Sequence, residues 1–200
     1  MTAIKIKSNE RVFGTGKTGS GKSYLMRIAL DNVTRLIVCD PKGTINENEW
    51  NLETWKGSSA RRLKNGKPLR VRIAGGYDPD FYEPFFEMAL NAGNVVVYID
   101  EVYAIVPTGR ISPALNQLIT MGRERGIGVW AVAQRPVNVP VVFLTEADHF
   151  FIFTLQSEED RKRVSSYTDP STFKPIPREN PHGFYYMASR DRDAVYIEAI

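Results

Sequence analysis

Gly16-Lys17-Thr18-Gly19-Ser20-Gly21-Lys22-Ser23 follows the spacing G-x-x-x-x-G-K-[ST], in which a backbone loop wraps around nucleotide phosphates. The residue types suit that task. Glycines let successive amide N–H groups converge on an anion, and the helix that follows adds the positive end of its dipole. Lys22 neutralises phosphate charge, and Ser23 is placed to ligate Mg²⁺. The expectation is a nucleoside triphosphate cradled by all eight residues from Gly16 to Ser23. The competing reading is a glycine-rich turn with no ligand.

Working outward, residues 11–14 read as a short strand feeding the loop, and Leu25, Ile28 and Ala29 recur at helical spacing on a helix expected over 22–32. Residues 36–39 form a wholly apolar run, as in a strand buried on both faces of a parallel sheet, and 69–74 form a weaker strand. Between them, 40–68 is polar, with Trp50, Leu52 and Trp55 as apolar anchors, and reads as an irregular excursion. A helix is expected from about Pro84 to Gly93, then a buried strand over 94–99. Ser112-Pro113 looks like an N-cap and first-turn proline, with Leu115, Leu118 and Ile119 as the apolar stripe and Gly126 ending that helix. Strands follow over 128–133 and 150–155, a helix opens at Ser157-Glu158-Glu159-Asp160 and runs toward Tyr167, and 184–188 with 194–199 suggest a terminal hairpin within 183–200. Strands alternating with helices point to an α/β sheet with ligands at the carboxyl ends of its strands.

Composition narrows the options. Two hundred residues, 42% of them hydrophobic, suffice for one good core, so one domain over 1–200 is expected. Lys+Arg 26 against Asp+Glu 23 leaves a net charge of +3, too little for charge alone to argue for nucleic acid. The one cysteine, Cys39, excludes a disulfide within the chain and reads as a buried thiol. Residues 1–10 lack the apolar core of a secretory signal, and no apolar run approaches the ~20 residues that cross a bilayer. A soluble intracellular protein without membrane insertion is expected. His149 and His182 have no metal-ligand spacing and read as structural or surface residues.

A second constellation lies downstream. Asn94-Val95-Val96-Val97-Tyr98-Ile99-Asp100-Glu101 is an apolar strand ending in two carboxylates. Beside a phosphate loop, Asp100 would hold Mg²⁺ through its water shell, and Glu101 would orient or deprotonate the water attacking the γ-phosphate. Alone, such an ending marks only a strand entering a loop. Gln134, at the far end of the 128–133 strand, could hydrogen-bond that water or the γ-phosphate. Arg123 precedes the same strand, at the opposite edge of the sheet. From there it could act only on a neighbouring copy's nucleotide, as an arginine finger; the alternative is that Arg123 and Arg125 are helix-end cations favoured by the dipole.

These segments, with Asp40-Pro41-Lys42-Gly43 and the run from Arg123 to Gln134-Arg135-Pro136, make the chain resemble the FtsK/HerA superfamily of ring-forming, DNA-pumping ATPases over about residues 10–140. The resemblance implies a three-layer, RecA/ASCE-like P-loop NTPase with a mainly parallel central sheet and an extra strand between the phosphate-loop and Walker B strands. It also implies ATP as fuel, Gln134 as γ-phosphate sensor and Arg123 acting in trans. Members that segregate chromosomes carry further modules for which this chain has no room, and a bare motor of this size is similar to the genome-packaging ATPases of membrane-containing double-stranded DNA viruses.

The expected activity is Mg²⁺-dependent ATP hydrolysis by a homo-oligomeric ring, a hexamer, driving double-stranded DNA into a capsid. A capsid or portal protein is the implied partner, and the implied location is the host cytoplasm or a packaging vertex of the virion. Such a ring touches phosphates without reading bases. Arg110 and the basic stretch 61–67 are the favoured contacts, ahead of Arg70, Arg72 and 161–163, and solvated surface is the alternative for each. Tyr185, Tyr186 and Tyr196 could stack on bases, although core packing suits their alternation better. Rival readings are a conjugation, secretion or virion-assembly ATPase of the same superfamily, a P-loop kinase, and a nucleotide-switched scaffold.

Overall fold

The central strands of this chain carry no polar face, and in the computed structural model, which describes residues 4–107 and 109–198, they are covered on both sides. Nine strands form one sheet in the order β3-β4-β2-β5-β6-β1-β7-β8-β9. They are β1 (Arg11–Thr15), β2 (Arg35–Cys39), β3 (Glu53–Thr54), β4 (Leu69–Ile73), β5 (Val96–Ile99), β6 (Gly128–Ala133), β7 (His149–Ile152), β8 (Phe184–Ala188) and β9 (Val195–Ile197). The first seven are mutually parallel, and β8 and β9 close the edge as an antiparallel hairpin. β6 lies between β1 and β5, as the resemblance implies. Ala199, in the expected last strand, and Met1 to Ala3 lie outside the described residues.

Period-two alternation sorts the strand side chains onto two faces. Phe13, Ile37, Cys39, Val97, Ile99 and Val129 face one core, covered by α2 (Gly57–Lys64), α3 (Pro79–Ala92), α4 (Val102–Ile105), α5 (Pro113–Met121), α6 (Val142–Thr145) and α7 (Glu158–Ser165). Val12, Leu36, Val38, Val96, Tyr98 and Trp130 face the other, with Phe184 of β8, covered by Met26 of α1 (Lys22–Ala29) and by Ile45 and Trp50. That gives the three layers expected from strands alternating with helices. Burial pushes the Cys39 thiol far above its ordinary range, in keeping with a packing role.

Several expectations need correction. The 40–68 excursion contains β3 and α2. β3 has only two residues, and α2 opens on Gly57-Ser58-Ser59, poor helix formers held by the buried Leu63. α3 starts at Pro79, not Pro84, because the Asp78 carboxylate accepts the Asp80 N–H and Pro79 takes the first helical position. Pro84 sits inside the helix, and the stripe Tyr82, Phe86, Ala89 holds it to the core. α1 stops three residues before Asn32, and the Arg70 guanidinium collects the carbonyls of Leu30, Asp31 and Val33 there. Ser112 stands at the N-cap of α5 without capping it. Glu83 of α3 does so instead, accepting the Ala114 N–H at 2.9 Å. The last turn before Gly126 tightens into a 3₁₀ turn, Gly122–Arg125.

Candidate active site

The phosphate loop springs from between β6 and β7. The amide of Gly16 donates to Ala133 O at 3.2 Å, and that of Lys17 donates to Thr154 O at 2.8 Å. Gly16 has φ +152°, and a Cβ there would lie 2.6 Å from Phe153 Cβ, so glycine is required by both conformation and space. Gly21, at φ +100°, is the N-cap of α1. The first-turn amides of that helix have no acceptor within it and point toward the loop. Ser20 is buried and its Oγ has no partner among the described residues. A hydroxyl so placed in the cradle fits an anionic ligand that accepts from it.

Lys22 is 8% exposed. Its Nζ donates to Gly16 O at 2.6 Å and Lys17 O at 2.8 Å, so the ammonium lies folded over the loop. Burial lowers its pKa to about 8; Glu101 and Asp100 oppose this and Lys42 adds to it. Ser23 Oγ donates to Asp100 Oδ1 at 2.9 Å, which brings the loop directly to the end of β5.

Asp100 also accepts the Tyr98 hydroxyl at 2.6 Å. Burial raises the Asp100 pKa, and the hydrogen bonds from Tyr98 and Ser23 restrain the rise. Tyr98 is fully buried and stacks on Trp50, ring centroids 5.2 Å apart. Glu101 starts α4 as its N-cap residue. Its Oε2 pairs with Lys42 Nζ at 2.9 Å, and its Oε1 lies 3.4 Å from the backbone N–H of Gln134. Gln134 lines a cleft of about 510 Å³ with Lys17, Thr18, Arg135, Gln156, Ser157 and Asp160. The Ser23 hydroxyl and the Asp100 carboxylate, side by side, are the hard oxygen donors that Mg²⁺ takes.

Lys22, Ser23, Asp100, Glu101 and Gln134 therefore meet at the carboxyl ends of β1, β5 and β6. Arg123 does not join them. It sits before β6 at the amino edge, half-exposed, with its Nη2 2.7 Å from each oxygen of Asp148. Arg125 donates to Leu90 O. Three residues of the site were given no part in the chemistry by the sequence: Tyr98, Lys42, quoted only within the segment that carries the resemblance, and Trp50, read as an apolar anchor. A signal for Tyr98 existed, since strand alternation puts residues 98 and 100 on one face. Lys42 and Trp50 arrive through the turn and loop after β2, which no periodicity foretells.

Several basic residues have internal uses. Arg70 binds loop carbonyls, Arg72 pairs with Asp40 and Glu47, Arg62 with Glu53, and Arg161 donates to Leu155 O. Arg61, Lys64, Lys67 and Arg110 are exposed. Tyr185 and Tyr196 pack on each other across the hairpin, and Tyr186 packs on Phe151. His149 is buried between Glu10 and Tyr186.

No family model matches the chain. It is 36% identical over 171 residues to the DNA packaging ATPase P9 of Enterobacteria phage PRD1, a match covering 84% of this chain and 74% of that protein. Its fold is similar to that of the genome packaging NTPase B204 of Sulfolobus turreted icosahedral virus 2, solved with ATPγS, at TM-score 0.78 and 17% identity over 98% of this chain and all of that one. It is also similar to the pCW3 conjugation coupling protein TcpA, at TM-score 0.63 and 18% identity, covering 98% of this chain and 62% of that one.

Proposed function

We propose, on the premise that this chain belongs to the family of DNA-packaging ATPases represented by P9 of Enterobacteria phage PRD1, within the FtsK/HerA superfamily, that it hydrolyses ATP to drive double-stranded DNA into a viral capsid. The observation that carries this reading is the convergence of Lys22, Ser23, Asp100, Glu101 and Gln134 on one end of the sheet. With ATP in the cradle, loop amides and the α1 terminus hold the phosphates, and Lys22 exchanges the carbonyls of Gly16 and Lys17 for phosphate oxygens. Ser23 and Asp100 would hold Mg²⁺, which supplies charge neutralisation at the β- and γ-phosphates when bound. Glu101 takes the proton of the attacking water, and Gln134 hydrogen-bonds that water or the γ-phosphate.

In a homo-oligomeric ring, a hexamer in this reading, Arg123 leaves Asp148 and serves the nucleotide of a neighbouring copy, stabilising transition-state charge. The DNA contacts are phosphate-directed, with Arg110 and the 61–67 stretch as the basic rim. The ring works at a capsid or portal protein, in the host cytoplasm or at a packaging vertex. Among the described residues no helix is long and apolar enough to cross a membrane. The test is ATP turnover with and without long duplex DNA at two salt concentrations. A DNA motor gains turnover with duplex and loses that gain at high salt; turnover indifferent to DNA refutes the translocation reading and favours a kinase or scaffold.

A further inference from the structure

Both carboxylate oxygens of Glu101 are engaged in this structure. One carboxylate oxygen is held by the Lys42 ammonium at 2.9 Å and the other faces the Gln134 amide at 3.4 Å. A general base must come within about 2.6–3.2 Å of the water it deprotonates; each Glu101 oxygen keeps a second lone pair, but the ammonium fixes the carboxylate's orientation and competes with that water for it. The Glu101 side chain is 9% exposed, so little bulk water competes with Lys42 for it. The Lys42 side chain is 25% exposed, so it is less enclosed than the carboxylate it pairs with.

The backbone that carries Lys42 is firmly held. Asp40 Oδ2 accepts from Arg72 Nε at 2.9 Å and from the Ile45 N–H at 2.8 Å, and the Gly43 N–H closes the turn onto Asp40 O at 3.2 Å. Any change at Lys42 is therefore a swing of its side chain, not a shift of the turn. The same segment also supplies Trp50, which stacks on Tyr98, the donor to Asp100. The loop after β2 thus reaches Glu101 directly, by an ion pair, and Asp100 through Tyr98, on whose ring Trp50 stacks.

We propose that Lys42 is a restraining, positioning residue: it keeps Glu101 paired and turnover low until a phosphate from outside the nucleotide site draws the ammonium away. This rests on the hydrolase reading above. Once Lys42 has exchanged carboxylate for phosphate, Glu101 accepts a proton from water as the water oxygen bonds to the γ-phosphorus and ADP departs with the bridging oxygen. The recruiting phosphate is a nucleic-acid diester or a free polyanion, and the assay separates the two.

The experiment measures kcat and KM for ATP in the parent, Lys42→Met and Lys42→Arg, each alone, with long duplex DNA and with inorganic polyphosphate. Lys42→Met should turn over several-fold faster than the unstimulated parent at unchanged KM and respond to neither polyanion, while Lys42→Arg keeps the low basal rate and the response. Stimulation of the parent by DNA but not polyphosphate identifies the diester as recruiter; equal stimulation identifies general polyanion chemistry. A Lys42→Met rate at or below the unstimulated parent, or a preserved response in that variant, overturns the proposal. A parent with no ATP turnover overturns the hydrolase reading itself, a result distinct from any failure at Lys42.

Discussion

Replacing Gly16 with alanine tests the geometry of the cradle, because Gly19 offers a matched control three residues away. At Gly19 the backbone has φ +76° and a Cβ would meet nothing within 4 Å, so Gly19→Ala costs only the left-handed conformation, about 1–2 kcal/mol. At Gly16, φ is +152° and the Cβ would lie 2.6 Å from Phe153 Cβ, 3.0 Å from Ser20 Oγ and 3.2 Å from the Phe153 carbonyl carbon. Two of those atoms are fixed to the backbone and cannot swing aside. Backbone strain of about 1–3 kcal/mol then adds to overpacking of about 1–3 kcal/mol, for a total of about 2–6 kcal/mol. For a chain of this length each kcal/mol is about 2–4 °C of Tm. Calorimetric unfolding without nucleotide should place Gly16→Ala below Gly19→Ala by at least about 2 °C, and titration with an ATP analogue should show the larger loss of affinity in Gly16→Ala. Equal melting of the two variants, or a lower Tm for Gly19→Ala, would refute the claim that contact with Phe153 dictates glycine at position 16.

Three further outcomes are expected. Lys22 falls from 10.5 to about 8 through burial, so below pH 8 the folded state carries an unfavourable buried charge that is relieved as pH rises toward 10.5. Denaturant titrations at pH 7.5 and 9.5 should show the parent gaining about 2 kcal/mol from this group, and Lys22→Met should lack that gain; identical pH dependence in both would exclude it. Glu101→Gln should bind an ATP analogue yet hydrolyse ATP at least about 100-fold more slowly, whereas parental turnover would remove Glu101 from its role. Mixing Arg123→Ala with Lys22→Ala chains should restore part of the turnover that each lacks alone, and no recovery at any ratio would count against an arginine acting between copies.

The elements that sequence patterning located share one property: their side chains alternate or recur against a core. β1, β2, β5 and β6 are wholly or almost wholly buried, so their apolar runs announce them, and the motif residues at their carboxyl ends follow from strand polarity. What escaped was set by contacts distant in sequence. α3 begins five residues before Pro84 because of an aspartate cap and a first-turn proline, although the proline within the helix was the more conspicuous sign. α5 is capped by Glu83, thirty-one residues upstream. The Lys42–Glu101 pair and the Trp50–Tyr98 stack depend on the path of the loop after β2, which passes over the end of β5; neither polarity nor periodicity encodes that path.

β6 is hydrogen-bonded on both sides, to β5 and to β1, and all six of its residues are buried. Its length is about 20 Å, and its two neighbours keep it from bending on its own. Gln134 follows its carboxyl end and the Gly122–Arg125 turn precedes its amino end. If those ends serve two different ATP molecules, this strand is a stiff pushrod: whatever displaces the glutamine after one firing must shift the arginine aimed at the next chamber, and consecutive firings would be timed by the scaffold itself.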